Sequence, residues 1–308
     1  MEVLVKQATW EADGVLSLSL VHPEASELPA WTPGAHLDLH LGDRVRQYSL
    51  CGDPADQGRY RVAVLRAPDS RGGSEYVHER LRPGQPLRID GPRNHFTLEP
   101  SPRYLFVAGG IGITPLLPML RQAAAEGRDW RLAYGGRSLR SMAFLDELAG
   151  YGERVEFVPQ DERGPLDLDA LLGAPLSDTL VYCCGPEPLL AAVEERCADW
   201  PPGSLRLERF AAKPQDFGPD EPFEVVCQRS DVTVRVGPGT SIVDALEDAD
   251  IWVPSACREG ICGTCETRVI DGEPDHRDSL LSEGGQEADK IMLPCVSRSL
   301  TPRLVLDL

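Results

Sequence analysis

The sequence predicts three modules in series: a small antiparallel β-barrel over residues 1–100, a doubly wound parallel α/β sheet over 101–211, and, past a linker at 212–221, a compact domain over 222–308 built around a cysteine loop. Three observations predict it. Up to about residue 100, short alternating apolar segments are broken by Pro and Gly, the rhythm of a barrel or sandwich. From residue 103, strand-like and helical stretches take turns, the pattern of a parallel sheet. Near the C-terminus, Cys257, Cys262 and Cys265 are spaced C-x4-C-x2-C, and Cys295 follows 30 positions later.

Each element has its own warrant. In the first module Val15 to Leu20, His36 to Leu41 and Tyr60 to Leu65 alternate with the period of half-buried strands, Arg46 to Ser49 lies on a further short strand, and Pro33-Gly34, Pro83-Gly84 and Gly91-Pro92 mark turns. In the second, the apolar strand Tyr104 to Ala108 runs into Gly109-Gly110-Ile111-Gly112-Ile113-Thr114-Pro115 and a helix from Leu116 to Glu126, with Pro115 as its first residue. Strands at Trp130 to Tyr134, Val155 to Val158, Thr179 to Cys183 and Leu205 to Phe210 alternate with helices at Met142 to Leu148, Leu166 to Leu172 and Pro188 to Cys197. The stretch Ala211 to Pro222 is polar and Pro-rich, hence a linker. In the last module two strands, Phe223 to Cys227 and Val232 to Val236, precede a helix near Ser241 to Leu246, with Ser241 as N-cap.

Composition narrows the function. With 31 Lys and Arg against 49 Asp and Glu, the chain carries a formal charge of −18, which argues against nucleic acid and anionic membrane surfaces. It has no 18-residue apolar run, and Met1-Glu2-Val3-Leu4-Val5-Lys6 lacks the basic-then-apolar order of a signal peptide. Of nine cysteines, Cys51, Cys183, Cys184, Cys197 and Cys227 lie outside the loop pattern. An odd remainder without an export signal predicts reduced thiols and a cytoplasmic address.

The loop cysteines have the spacing of a plant-type 2Fe-2S site. Two bridged irons need four thiolates in a small volume; the loop supplies three and a distant segment closes the cage. Gly260, Gly263, Ser255, Ala256 and Thr264 are small enough to let backbone N–H groups approach the sulfurs. A structural zinc site would show two C-x2-C knuckles, and only Cys262/Cys265 forms one.

Two glycine turns mark the second module. The Gly109–Pro115 turn joins a strand to a helix start, where free N–H groups favour an anion, and Cys184-Gly185-Pro186 follows a later strand. Both belong at the carboxyl edge of the sheet, where α/β folds bind ligands; tight turns made only for packing are the alternative. In the barrel, Arg71-Gly72-Gly73-Ser74 sets backbone freedom beside a cation and a hydroxyl, a phosphate-binding combination that also describes a solvated turn.

Together, Arg46-Gln47-Tyr48-Ser49-Leu50-Cys51, Arg71-Gly72-Gly73-Ser74, Gly109 to Pro115, Cys184-Gly185-Pro186 and the four cluster cysteines resemble the phthalate dioxygenase reductase family, to which vanillate demethylase reductases are close. The resemblance spans nearly the whole chain and includes the module order: flavin barrel, nicotinamide domain, β-grasp ferredoxin. It implies FMN, a 2Fe-2S cluster and NADH, with NADPH as the alternative nucleotide. It implies that Arg46 contacts the flavin's phosphate side, Tyr48 packs on its ring, Ser49 sits near N5, and Val64, Leu65 and Arg66 line it with backbone groups. Gly72, Gly73 and Ser74 would hold the phosphate. Thr114 would lie between flavin and nicotinamide, and Phe210 would stack at the ring. Gly109, Gly110, Gly112, Pro115, Gly185 and Pro186 would shape the nucleotide crevice, with Ser49, Thr114 and Cys184 nearest the chemistry. Cys257, Cys262, Cys265 and Cys295 would hold the cluster.

The second strand of the α/β module ends at Tyr134-Gly135-Gly136-Arg137-Ser138-Leu139-Arg140. No acid there awaits a ribose 2′-hydroxyl, and Arg137, Ser138 or Arg140 could meet a 2′-phosphate, while the family favours NADH. The chain thus reads as a monomeric electron-transfer enzyme that reduces a separate terminal oxygenase docked at the ferredoxin domain. Service to a haem-thiolate monooxygenase, or redox sensing, are the rival readings.

Overall fold

The computed structural model describes residues 1–67, 72–213, 217–280 and 290–308. They form two compact units, Met1–Glu208 and Arg209–Leu308.

The first unit opens with six antiparallel strands: β1 (Glu2–Ala12), β2 (Val15–Val21), β3 (His36–Leu41), β4 (Arg44–Ser49), β5 (Tyr60–Leu65) and β6 (Pro86–Arg93). Their order is β4-β3-β6-β1-β2-β5, and a bridge from Leu50 to Val62 joins the two ends into a barrel. Leu18, Leu20, Leu37, Leu39, Leu41, Val62, Val64 and Ile89 fill it, every second residue of its strands as the pleat requires. A short helix, α1 (Gly73–Glu79), not foreseen from the sequence, packs Val77 onto this core. Pro33-Gly34 and Pro83-Gly84 make turns as expected, but Gly91-Pro92 does not. It lies inside β6, where the pairing with β3 slips between His36 and Asp38, so these breaker residues mark a bulge.

Five parallel strands follow: β7 (Arg103–Gly109), β8 (Asp129–Gly136), β9 (Val155–Pro159), β10 (Thr179–Cys184) and β11 (Leu205–Glu208). Their order, β11-β10-β7-β8-β9, is doubly wound. Phe106 and Tyr182 face one side with α2 (Ile113–Ala125); Val107, Val181 and Cys183 face the other, beneath α5 (Leu168–Leu172) and α6 (Glu187–Arg196). The remaining helices are short, α3 (Leu145–Ala149) and α4 (Gln160–Arg163). Helix α3 starts three residues later than expected because Leu139–Ser141 forms a tight turn, with Ser138 and Ser141 capping each other. Strand β11 stops at Glu208, two residues before Phe210.

Barrel and sheet are bolted together within this unit. Glu147 on α3 receives Arg121 from α2 and Arg61 from β5, the latter at 2.8 Å, while Arg121 also donates to the Cys51 carbonyl at 3.2 Å. Arg61 stacks over Phe144 at 4.9 Å, a contact offsetting the left-handed backbone (φ 64°) that Phe144 adopts.

The second unit is a β-grasp sheet. β12 (Phe223–Cys227), β13 (Val232–Val236), β14 (Thr267–Asp271), β16 (Ile291–Met292) and β18 (Arg303–Leu306) run in the order β13-β12-β18-β14-β16, with β12 and β18 parallel; β15 (Pro274–Asp275) pairs with β17 (Arg298–Ser299). Helix α7 (Ile242–Glu247) is capped by Ser241, whose hydroxyl accepts from the Asp244 amide at 3.0 Å as the sequence predicts. Its core is its own: Phe223, Val225, Ile242, Leu246, Met292 and Leu304 pack around one side of the cysteine segment.

Candidate active site and metal centre

In the doubly wound sheet the chain leaves β7 toward β8 and later returns to β10 on the opposite side, so the carboxyl ends of β7 and β10 flank the point where strand order reverses. The two glycine turns sit there, back to back. A Cβ on Gly185 would stand 3.0 Å from the Gly109 Cα, and one on Gly112 only 2.2 Å from the Cys184 carbonyl oxygen. Gly112 has an ordinary helical φ of −62°, so glycine is required for space, not conformation. Gly110 is the reverse case: φ is +54° and a Cβ would meet nothing within 4 Å, leaving open room above the turn. Thr114 is buried, its hydroxyl donating to the Ile111 carbonyl at 2.9 Å. Helix α2 begins at Ile113, so Pro115 is its third residue and not its first; the N–H that proline lacks is unneeded throughout a first turn.

Three strand ends converge at the junction with the barrel. Ser49, closing β4, donates its hydroxyl to Glu208 Oε2 at 3.3 Å, and Cys184, closing β10, directs its thiol to the same oxygen at 3.9 Å. Burial pushes the Glu208 carboxyl up to about 8, against the opposing pull of these two hydrogen bonds; the residue is half-buried as a whole, with its carboxyl at the buried end. Burial, and next the Glu208 charge, push the Cys184 thiol well up. At neutral pH the trio is uncharged. Sequence reasoning placed Ser49 and Cys184 here but missed Glu208; the signal was present as the first residue of Glu208-Arg209-Phe210, noticed only for its aromatic.

A carboxyl raised from 4.5 to about 8 carries a consequence for stability. Unfolding releases its proton, so its relative contribution is complete below pH 4.5 and is lost as pH rises through about 8. Glu208→Gln removes that slope. The variant should gain stability relative to the parent between pH 5 and pH 8.5, by at most about 1.4 kcal/mol per pH unit, read from thermal unfolding at each pH. Parallel stability curves for the two proteins would refute a protonated Glu208.

The barrel side of the site is also gathered. Tyr48 is paired with Leu37 across β3 and packs on the barrel core, and burial raises its hydroxyl to about 12. Arg46 crosses over Gly73, where a Cβ would fall 2.6 Å from the Arg46 Cγ, and the Arg44 guanidinium lies 3.0 Å from the equivalent point on Gly72, whose φ is +87°. Ser74 Oγ accepts from the Ala67 amide at 3.1 Å. Two cations over a glycine turn and a hydroxyl form a cradle suited to a phosphate, and Arg44 is a member the sequence reading did not include. Arg71 lies outside the described residues. Of the backbone groups at Val64, Leu65 and Arg66, the Val64 carbonyl meets His78 Nε2 at 2.9 Å and the Arg66 amide donates to Gly14 at 2.8 Å. At the end of β8, Arg140 pairs with Asp13 on the barrel at 3.2 Å, and both Arg137 and Arg140 are exposed. Phe210 opens the second unit and is 41% exposed.

In the second unit the four predicted cysteines come together. Cys257 is within hydrogen-bonding reach of Cys262 and Cys295, and Cys295 of Cys265. Their crowding, chiefly the bond from Cys257, pushes the Cys262 thiol far up, the signature of a cage that favours thiolates only when cations compensate them. Left-handed backbone at Arg258, Gly260 and Gly263 bends the loop around the sulfurs, and the Glu259 amide donates to Cys257 at 3.3 Å. Gly260 has no room for a side chain: a Cβ would sit 2.9 Å from Asp278 and 2.6 Å from Val296. Among the described residues no three His, Cys, Asp or Glu side chains converge on one point, so the cysteine sulfurs meet in pairs and not as a closed ligand shell. A binuclear cluster needs two thiolates per iron, and paired sulfurs are what the loop and Cys295 provide. The other five cysteines, Cys51, Cys183, Cys184, Cys197 and Cys227, are buried and form no disulfide.

Comparisons with known proteins find the same kinds of domain in this chain. Residues 225–300 match the 2Fe-2S iron-sulfur cluster binding domain family and residues 106–195 the oxidoreductase NAD-binding domain family. The chain is 45% identical over 300 residues to phenoxybenzoate dioxygenase subunit beta of Ectopseudomonas oleovorans, covering 96% of this chain and 94% of that one. Among solved structures, phthalate dioxygenase reductase, described as a modular structure for electron transfer from pyridine nucleotides to 2Fe-2S, is 34% identical with a TM-score of 0.73, covering all of this chain and 98% of its own. An intact type IV self-sufficient cytochrome P-450 monooxygenase is 45% identical with a TM-score of 0.95, and this chain spans 41% of it. With these relatives 45% and 34% identical and at least 94% of both chains covered in each pair, the chain belongs to the phthalate dioxygenase reductase family.

Proposed function

We propose that this protein is the reductase component of an oxygenase system, an NAD(P)H-dependent oxidoreductase that carries FMN and a 2Fe-2S cluster. The observation that carries the proposal is that one chain holds both a nucleotide crevice ending at Ser49, Cys184 and Glu208 and a separate cage of four cysteines. When bound, the flavin converts a two-electron hydride donor into single electrons and the cluster conducts them one at a time. The residues do the rest. The Gly109–Pro115 and Cys184–Pro186 turns admit the nucleotide, Arg44, Arg46, Gly72, Gly73 and Ser74 hold the flavin's phosphate, and Tyr48 covers one face of the ring. The uncharged trio keeps the reacting edge dry and places a hydroxyl beside it. Cys257, Cys262, Cys265 and Cys295 ligate the cluster.

The test is direct. Purified protein should release FMN and contain two irons and two acid-labile sulfides per chain. NADH should reduce it with a higher kcat/KM than NADPH, as the family resemblance implies; the reverse preference would point to the exposed Arg137 or Arg140 at the end of β8 as the 2′-phosphate contact. Extraction of FAD, or of a mononuclear metal, would overturn the assignment.

The acceptor is a terminal oxygenase; a non-haem ring-hydroxylating or demethylating enzyme is the first reading, after the dioxygenase relatives. The match to a section of a self-sufficient haem monooxygenase supports a haem-thiolate acceptor as the second reading. Docking at the ferredoxin domain follows from charge. Between Pro222 and Leu308 sixteen acids stand against eight Arg and Lys, a net −8. Glu266 beside the cage is exposed and Glu259 half-buried, while Arg258 on the same loop is engaged by Asp244 and Glu247 at 2.8 and 2.6 Å. Reduction of a basic acceptor should therefore slow several-fold as salt shortens the Debye length from about 30 Å toward about 8 Å, in stopped-flow traces at fixed acceptor concentration. A salt-independent rate would remove the docking surface and leave the reductase reading intact. A cytoplasmic address is supported by buried cysteines that form no disulfide; among the described residues no helix is long and apolar enough to cross a membrane.

A further inference from the structure

Trp252 is the most exposed large apolar side chain among the described residues, 76% of it open to solvent, and it stands five residues ahead of Cys257. The backbone on either side of it is tied down. The Ile251 amide donates back to the Leu246 carbonyl at 2.8 Å and the Asp250 amide to the Glu247 carbonyl at 3.1 Å, with Asp250 in the left-handed region at φ 59°. This is a Schellman stop to α7, and it packs Ile251 onto the core that holds Leu246. Val253 is buried too, so burial alternates along the segment and Trp252 and Pro254 are left outside together. Single apolar residues are common on surfaces, but this one is pinned beside a redox centre.

The surroundings choose the occupant. Glu247, Asp248 and Asp250 crowd the end of α7, where the helix dipole favours cations. Arg258 answers Glu247 and Asp244, and among the described residues neither Asp248 nor Asp250 is in an ion pair. An acidic rim around an indole repels an anionic bilayer and also a second copy of this chain, whose net charge is −18. It attracts a basic protein, whose Arg and Lys side chains can stack on the indole face, the best aromatic surface for a cation. Distance ties the patch to the cluster. Five residues of chain reach at most about 18 Å. An electron-transfer encounter that buries less than about 600 Å² on each side is roughly 28 Å across, so one footprint can hold both the Cys257–Cys265 loop and Trp252.

Resting on the reductase reading, we propose that Trp252, with Pro254 beside it, is the apolar anchor on which a basic electron-accepting protein docks, with Asp248 and Asp250 as its acidic rim. The two parts act on different rates. The rim draws the acceptor in, so it sets association and its salt dependence; the indole, once covered, slows departure and sets residence time. Neutralising the rim and truncating the anchor therefore leave separate signatures. Neither change touches electron entry, because the nucleotide crevice belongs to the first unit.

Cytochrome c, a basic haem protein, is the probe, and ferricyanide, too small to need a docking surface, is the control, each reduced by the holoenzyme at saturating NADH. Trp252→Ala should raise the KM for cytochrome c about tenfold or more and leave kcat, the ferricyanide rate, the melting temperature and the cluster spectrum at parental values. Trp252→Phe, which keeps an aromatic surface, should hold KM within about threefold of the parent. Asp248→Asn with Asp250→Asn should instead flatten the salt dependence of kcat/KM, which Trp252→Ala should keep. A parental KM in Trp252→Ala refutes the anchor, and so does an equal loss with ferricyanide. Sedimentation that shows dimers of the parent but not of Trp252→Ala, or binding of the parent alone to phosphatidylcholine vesicles, refutes the basic occupant. Failure of the reductase reading itself looks different: NADH would then reduce neither acceptor through the parent protein.

Discussion

Replacing Cys257 with alanine is expected to eliminate the cluster and reduce electron delivery to cytochrome c, or to a terminal oxygenase, to the background rate, while NADH still bleaches the flavin. Cys257 is the cage member that reaches both Cys262 and Cys295, so its loss leaves one iron short of a ligand and the remaining thiols crowded without compensation. The damage stays local because the second unit has its own core of Phe223, Val225, Ile242, Met292 and Leu304, whereas Ser49, Cys184 and Glu208 belong to the first. Iron and sulfide analysis, the visible spectrum and anaerobic flavin reduction read the two halves separately. Loss of NADH-dependent flavin reduction in the cluster-free variant would show that the units are not energetically independent.

Gly112→Ala is expected to damage nucleotide use almost as severely. Its Cβ would lie 2.2 Å from the Cys184 carbonyl oxygen and 2.7 Å from the Gly185 amide nitrogen, both backbone atoms that cannot swing aside. One of the two turns must therefore move, at a cost of about 1–3 kcal/mol in stability. A displacement of about 1 Å at Cys184 or at the nucleotide turn lowers kcat/KM for NADH by roughly 100-fold. Gly150→Ala is the control, because that glycine has an ordinary φ of −61° and its Cβ would meet nothing closer than 3.5 Å. If both variants keep parental kcat/KM and melting temperature, the back-to-back contact of the turns does not shape the site.

The sites differ in how much of them could be read along the chain. The cluster site was legible because three ligands and the bends between them fall within nine residues, and local spacing encodes local geometry. The nucleotide turns were legible for the same reason, although the start of α2 was misplaced: Pro115 suits any position of a first turn, and only the approach of Cys184 to Gly112 shows where that turn begins. Gly91-Pro92 misled because a pair of backbone breakers serves a bulge as well as a turn.

Glu208 and His36 were not legible, and the reason is physical. Their properties come from burial and from groups that only folding brings near: Ser49 and Cys184 for Glu208, and Arg93, Asp38 and His95 for His36. A carboxyl at a strand end and a histidine in an alternating segment look ordinary until burial removes water from them. The sequence by itself determined the module order, the strand and helix rhythm, the cysteine loop and the two glycine turns, since each depends on residues close together in the chain. The tertiary structure alone decided which groups share the reacting edge and which of them carry protons at neutral pH, because desolvation and long-range pairing exist only once the strands have met.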